Sequence, residues 1–145
     1  MELNECINFI LESTRNAVHT LFKDRLATFG VTPIQYSLLK CLWKTDMQTP
    51  TQLAQALRID ASTVTGVIER LERKTFVERI YSEKDRRSVH VCLKPEGAAL
   101  KRDVEAAILE ANAEVLAPLS GDEIILLKKM CLQIRDTASA KKDRN

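Results

Sequence analysis

Between Thr49 and Gly97 the chain sets two short capped helices and a basic hairpin in direct succession, and this order constrains the fold more than any other feature. The first helix opens at Thr49-Pro50-Thr51-Gln52, a capping box whose first helical position is Pro. Leu53, Ala54 and Leu57 supply an inward stripe before the chain breaks at Arg58-Ile59-Asp60, a connection of the length that joins the helices of a helix-turn-helix. Asp60 can cap the next helix, expected over about Ala61 to Thr75. There Val64, Val67, Ile68 and Leu71 hold the i, i+3, i+4, i+7 spacing that buries one face. Two strands are expected next, Val77 to Tyr81 and Ser88 to Leu93, the second with Val89, Val91 and Leu93 alternating against Ser88, His90 and Cys92. This is the sequence form of a winged helix-turn-helix, with double-stranded DNA as the expected partner.

At 100° per residue the polar face of the second helix is centred on Ser62, Gly66, Glu69 and Arg73, flanked by Thr63, Thr65 and Arg70, with Lys74 at its end. Hydroxyls reach phosphates and base edges, Arg binds guanine bidentately, and Gly lets the backbone approach the groove floor. Any exposed helix face is polar, so the hairpin tip Ser82-Glu83-Lys84-Asp85-Arg86-Arg87 carries the argument further. Arg86 and Arg87, with Asp85 to orient a guanidinium, suit the narrow, negative minor groove. From Arg70 to Arg87 there are seven Lys or Arg against four Asp or Glu, although the whole chain is only +2.

These residues resemble the MarR family of bacterial transcription regulators. The family's wing signature is Asp-x-Arg followed by Leu-Thr-x-x-Gly; this chain has Asp85-Arg86-Arg87 and Leu93-Lys94-Pro95-Glu96-Gly97. Ser62 to Lys74 looks like the family's recognition helix, and Thr75-Phe76-Val77 stands where Gly-Leu-Val is usual. Lys94 in place of Thr removes a side-chain cap from the helix starting at Pro95, and Thr75 in place of Gly is expected to strain the corner after the recognition helix. The resemblance implies a mainly α fold with a small β-hairpin wing. It implies one domain over 1–145, with dimerisation helices at 1–30 and 95–140 and the winged unit at 33–93. It further implies a homodimer acting as a repressor released by a small effector.

The remaining helices are expected at about Glu2 to Phe29, Pro33 to Lys44, Pro95 to Leu116 and Gly121 to Ala138, with capping boxes at Thr32-Pro33-Ile34-Gln35 and Ser120-Gly121-Asp122-Glu123 and a frayed tail from Lys141 to Asn145. Ile7, Leu11, Val18, Phe22 and Phe29 share one arc of the first helix; Ile124, Leu127, Cys131 and Ile134 share one arc of the last. A second copy covering these arcs would set two recognition helices about 34 to 36 Å apart, matching a pseudo-palindromic operator.

With 45% hydrophobic and 29% charged residues the chain reads as a helical globular domain. The acidic start and the short apolar run from Ile7 give no targeting or membrane segment, so a cytoplasmic protein is expected. Cys6, Cys41, Cys92 and Cys131 form no C-x-x-C pair, and His19 and His90 lack metal-ligand spacing, so neither metal nor cofactor is expected. The chain has no Gly-rich phosphate loop, G-x-S-x-G or H-E-x-x-H, which argues against an enzyme. A winged helix used only for protein contacts is the rival to DNA binding. For sensing, Arg15 falls inside the apolar arc of the first helix with His19 at its edge. Arg15 either meets a carboxylate or, with His19, binds a small aromatic anion in a pocket that Tyr36 and Trp43 could line, although both also suit core packing. A thiol sensor at Cys6 is the competing reading; the family's peroxide-sensing branch has a tyrosine four residues on, where this chain has Ile10.

Overall fold

Local capping sets where most of the helices begin. The structure, a computed structural model, describes residues 1–85 and 87–142. A single 3-10 turn at Leu3–Glu5 leads into α1 (Ile7–Ala27), α2 (Pro33–Lys44), α3 (Pro50–Leu57), α4 (Ala61–Arg73), the strands β1 (Val77–Tyr81) and β2 (Val89–Leu93), α5 (Pro95–Ala99), α6 (Lys101–Leu116) and α7 (Gly121–Lys142). Thr32 and Thr49 accept hydrogen bonds from the amides of Gln35 and Gln52, whose side chains return to the Thr amides; Ser120 and Glu123 do the same ahead of α7.

Several boundaries differ from expectation. The long helix expected from Pro95 to Leu116 is interrupted at Leu100, which is half-buried and packs against both clusters of the core. No side chain caps α5, as the Lys94 substitution implies. Helix α1 starts at Ile7 and ends at Ala27; Gly30, in the left-handed region at φ 66°, follows the turn at its end. Lys141 and Lys142 continue α7 rather than fraying, while Asp143, Arg144 and Asn145 lie outside the described residues. Helix α4 stops at Arg73, and Thr75 takes φ 63°. A β-branched residue there is strained, as its replacement of Gly suggested.

Two compact units divide the chain, Met1–Ala111 and Asn112–Asn145. The first holds the core. Val31, Leu38, Leu39, Leu42, Leu53, Val64, Val67, Ile68, Leu71, Val77 and Val91 form its main cluster, and Leu26, Val104 and Ile108 a smaller one. The strands pair antiparallel, from Val77 opposite Leu93 to Tyr81 opposite Val89. Gln48 bridges to Val91, whose amide donates to its carbonyl at 2.8 Å, so the link between α2 and α3 is sewn to β2. In the second unit α7 buries no residue. Among the described residues no helix is long and apolar enough to cross a membrane.

Gly97 holds the end of the wing against the corner after α4. A Cβ there would lie 2.1 Å from the carbonyl oxygen of Phe76, which already accepts the Lys94 amide, while the Gly97 carbonyl accepts the Trp43 indole N–H at 3.0 Å. Gly97→Ala is therefore expected to cost at least about 2 kcal/mol of stability. Thr75→Gly should instead raise it by about 0.5 to 1 kcal/mol, since relief of the left-handed strain exceeds the backbone entropy of Gly. Denaturant unfolding of both variants measures this, and equal stabilities would contradict both assignments.

Candidate nucleic-acid interface

Asp60 initiates the surface that the sequence marks for DNA. Its carboxylate accepts the Ser62 hydroxyl and the Thr63 amide, both at 2.7 Å, capping α4. These two bonds, the Ser62 hydroxyl first, hold the Asp60 carboxyl down at a pKa of about 2. From this start α4 turns Val64, Val67, Ile68 and Leu71 into the core and leaves Ser62, Thr63, Thr65, Glu69, Arg70 and Arg73 exposed. The Thr65 hydroxyl donates to the Ala61 carbonyl at 2.9 Å. At Gly66 a Cβ would meet only Arg70 Nη1, at 3.9 Å, so no packing constraint keeps this residue small. The gap in the polar face opens toward solvent.

At the end of α4 the exposed Lys74 ammonium donates to the Gly30 carbonyl at 2.6 Å and to Gln35 Oε1 at 2.8 Å, tying the end of α4 to the start of α2. In the wing, the Asp85 carboxylate accepts the backbone amide of Arg87 at 2.9 Å, and the Asp85 carbonyl accepts the Ser88 amide. Asp85 thus shapes the turn through the backbone, and Arg87 is exposed. Arg86 lies outside the described residues.

Sequence reasoning missed Arg79. Its Nε donates to Glu72 at 2.9 Å, and its Nη2 lies 3.9 Å from Glu69, joining β1 to two turns of α4. The signal was present, because strand alternation puts Arg79 on the same face as buried Val77.

Of the candidate effector residues, Arg15 and His19 lie on α1 and Tyr36 and Trp43 on α2. Arg15 and His19 are exposed on α1, and Arg15 contacts Asn16 Oδ1 at 3.4 Å, its own neighbour. The apolar arc that suggested a buried Arg15 is itself largely exposed toward the N-terminus. Tyr36 and Trp43 do come together, with ring centroids 6.3 Å apart. Burial pushes the Tyr36 hydroxyl up, and the Trp43 indole is engaged by Gly97. Trp43 also lines a cavity of about 230 Å³ with Lys40, Lys44, Lys101 and Glu105, where Lys40 is ion-paired with Glu105. Of the thiols, burial pushes those of Cys41 and Cys92 up, away from reactive thiolates, while Cys131 is exposed. Among the described residues no group of three His, Cys, Asp or Glu could hold a metal ion.

A sequence model of the MarR family matches residues 31–89. The organic hydroperoxide resistance transcriptional regulator of Bacillus subtilis is 28% identical over 97% of this chain and 95% of its own. A probable transcriptional regulator from Pseudomonas aeruginosa has a solved structure 32% identical to this chain, with a TM-score of 0.85 over 92% of this chain and 99% of its own. BpsR of Bordetella bronchiseptica, whose DNA binding is regulated by 6-hydroxynicotinic acid, gives a TM-score of 0.87 at 23% identity over 94% and 97% of the two chains.

The depressed pKa of Asp60 gives the cap a pH signature. A carboxylate held below its unfolded value of 3.8 contributes stability above that value and loses it as pH falls through about 2. Asp60→Ala should therefore lower the melting temperature at pH 7, and the gap from the unsubstituted protein should narrow between pH 4 and pH 2. A gap constant across that window, read by thermal unfolding, would show that the ionised form of Asp60 contributes nothing extra to the cap.

Proposed function

The chain belongs to the MarR family of DNA-binding transcriptional regulators, and on that premise we propose that it is a repressor that binds a pseudo-palindromic operator as a homodimer through α4 and the wing. The observation that carries this reading is the two-sidedness of α4. Its inner face is sealed in the core, while Ser62, Thr63, Thr65, Arg70 and Arg73 face outward around a glycine that no packing requires. A face of hydroxyls and guanidiniums with a central gap suits a major groove, and the braced tip carrying Arg87 suits the adjacent minor groove. The single-domain organisation follows, with the winged unit at 33–93 between dimerisation segments at 1–30 and 95–140.

Dimerisation is supported by apolar surface at both ends. Leu3, Ile7, Phe9, Ile10 and Leu11 are exposed in the first unit, and Ile125, Leu126, Leu127, Met130, Leu132 and Ile134 in the second. Runs of large exposed apolar side chains on a helix mark an interaction surface. A second copy would cover them and provide the two-fold symmetry a pseudo-palindrome demands.

We propose a small aromatic carboxylate as the releasing effector. BpsR responds to such a molecule, and Arg15 and His19 lie exposed one turn apart on α1. Tyr36 and Trp43 are the aromatic pair that could face it. A thiol switch at Cys6 is the second reading, favoured by the position of Cys6 at the N-cap of α1 and by the hydroperoxide-resistance relative.

Two substitutions separate DNA contact from folding. Arg87→Ala should weaken operator binding by about 1 to 3 kcal/mol at physiological salt with unfolding unchanged. Gly66→Ala should stabilise the fold by about 0.5 to 1 kcal/mol, the usual gain of Ala over Gly within a helix, yet weaken operator binding. Titration of labelled operator beside thermal unfolding measures both, and unchanged affinity in either variant would remove that residue from the interface.

Operator titration with benzoate-like and hydroxycinnamate-like compounds tests the effector. Up to millimolar ligand should weaken binding by the unsubstituted protein. Arg15→Ala should lose the response while keeping its affinity for DNA alone, because a ligand shifts an equilibrium only by its differential affinity. A response surviving Arg15→Ala, or one elicited by peroxide and abolished by Cys6→Ser, would transfer sensing elsewhere.

A further inference from the structure

An acidic side chain sits near the middle of the candidate DNA face, where phosphates repel it. At 100° per residue from Gly66, Glu69 falls at −60°, beside Ser62 at −40° and Arg73 at −20°. Glu72 falls at −120°, between this face and buried Ile68, on the side where Arg79 reaches α4. Both carboxylates meet one guanidinium, but not in the same way. Arg79 Nε donates to Glu72 at 2.9 Å, a true hydrogen bond, whereas Arg79 Nη2 stands 3.9 Å from Glu69 Oε1, beyond hydrogen-bond reach. Among the described residues Nη2 also finds no hydrogen-bond partner, although it is buried. Glu69 is therefore attracted to the wing while its oxygen lone pairs stay uncommitted, and its side chain is 56% exposed.

Resting on the reading of α4 as the recognition helix, we infer that Glu69 is a specificity residue that accepts the exocyclic N4 amino group of a cytosine in the major groove, with Arg79 as the positioning residue that aims it. A carboxylate offers only acceptors, so at the groove floor it must meet a donor, and the cytosine amino group is the base-edge donor that Glu and Asp read. A guanine or thymine at that position presents acceptors and is repelled. Arg79 offsets the charge that would otherwise oppose the approach of the phosphates. Gly66, one turn toward the N-terminus, leaves room beside Glu69 for the base pair to come close.

The test compares binding of the full-length protein to an operator series in which each half-site base pair is changed singly. The unsubstituted protein should favour cytosine at one position by about tenfold or more. Glu69→Ala should lose that preference, binding the duplexes that lack cytosine at that position more tightly while gaining nothing on the cytosine duplex, as expected on removing both a repelled charge and a hydrogen-bond acceptor. Glu69→Gln should move the preference toward adenine at the same base pair, because a carboxamide both donates and accepts. Arg79→Met should blunt the preference at that base pair alone, and Arg79→Lys should restore part of it. Glu69 is exposed, so its variants test the assignment even where Arg79→Met melts early. An unaltered base preference in Glu69→Ala, or a uniform change at every position, would overturn the inference and leave Glu69–Arg79–Glu72 as a brace only. An unsubstituted protein that binds no duplex would overturn the reading of α4 as well.

Discussion

Val64, Val67, Ile68 and Leu71 are each at most 1% exposed, and everything that α4 presents outward depends on that sealed face. Burial of such side chains is worth about 1.5 to 3 kcal/mol each, so rolling the helix by one residue would cost several of these at once. Its ends are fixed as well. Asp60 sets the first turn, and Lys74 reaches back across the sequence to the Gly30 carbonyl and Gln35. Gln35, the buried polar side chain of the core, gives its Oε1 both to the Thr32 amide and to Lys74, so the cap of α2 and the end of α4 share one acceptor. The polar face of α4 is thereby held at one orientation before any ligand arrives.

The wing is held by different means. Gly97 admits the Phe76 carbonyl where no larger residue would fit, Trp43 grips Gly97 through its indole, and Gln48 pairs with Val91. Arg79 adds a charged link from the strand to α4. Helix and hairpin are thereby tied together by these contacts, an arrangement that suits the proposed recognition of a major groove together with its neighbouring minor groove. Toward both ends of the chain large apolar side chains remain uncovered.

Features governed by nearest neighbours were legible in the sequence. The boxes at Thr32, Thr49 and Ser120, the Asp60 cap, the limits of α2, α3 and β1, and the strained corner at Thr75 all follow from residues within four positions of one another. Features set by distant partners were not. Lys74 looks like one more cation at the end of a basic helix, and only the fold brings Gly30 and Gln35 to it. Leu100 interrupts a helix with neither Gly nor Pro at the break, because its packing against two clusters outweighs propensity. Asp85 reads as a partner for a guanidinium, and the turn also draws one of its carboxylate oxygens to the Arg87 amide. Arg15 seemed costly inside an apolar arc, but that arc lies open in the single chain, so its environment depends on what covers α1. The DNA-facing candidates were identifiable by residue type and helical phase; the arrangement that gives Glu69 a distinct part depends on a strand residue ten positions away.

We propose that a symmetric pair of recognition helices and wings engages DNA. Selection of bound fragments from random duplexes by the purified full-length protein tests it most directly. Enrichment of an inverted repeat whose half-site centres lie about 10 to 10.5 base pairs apart is the expected result. Enrichment of an unsymmetric single site, or no enrichment even at low salt, would contradict it.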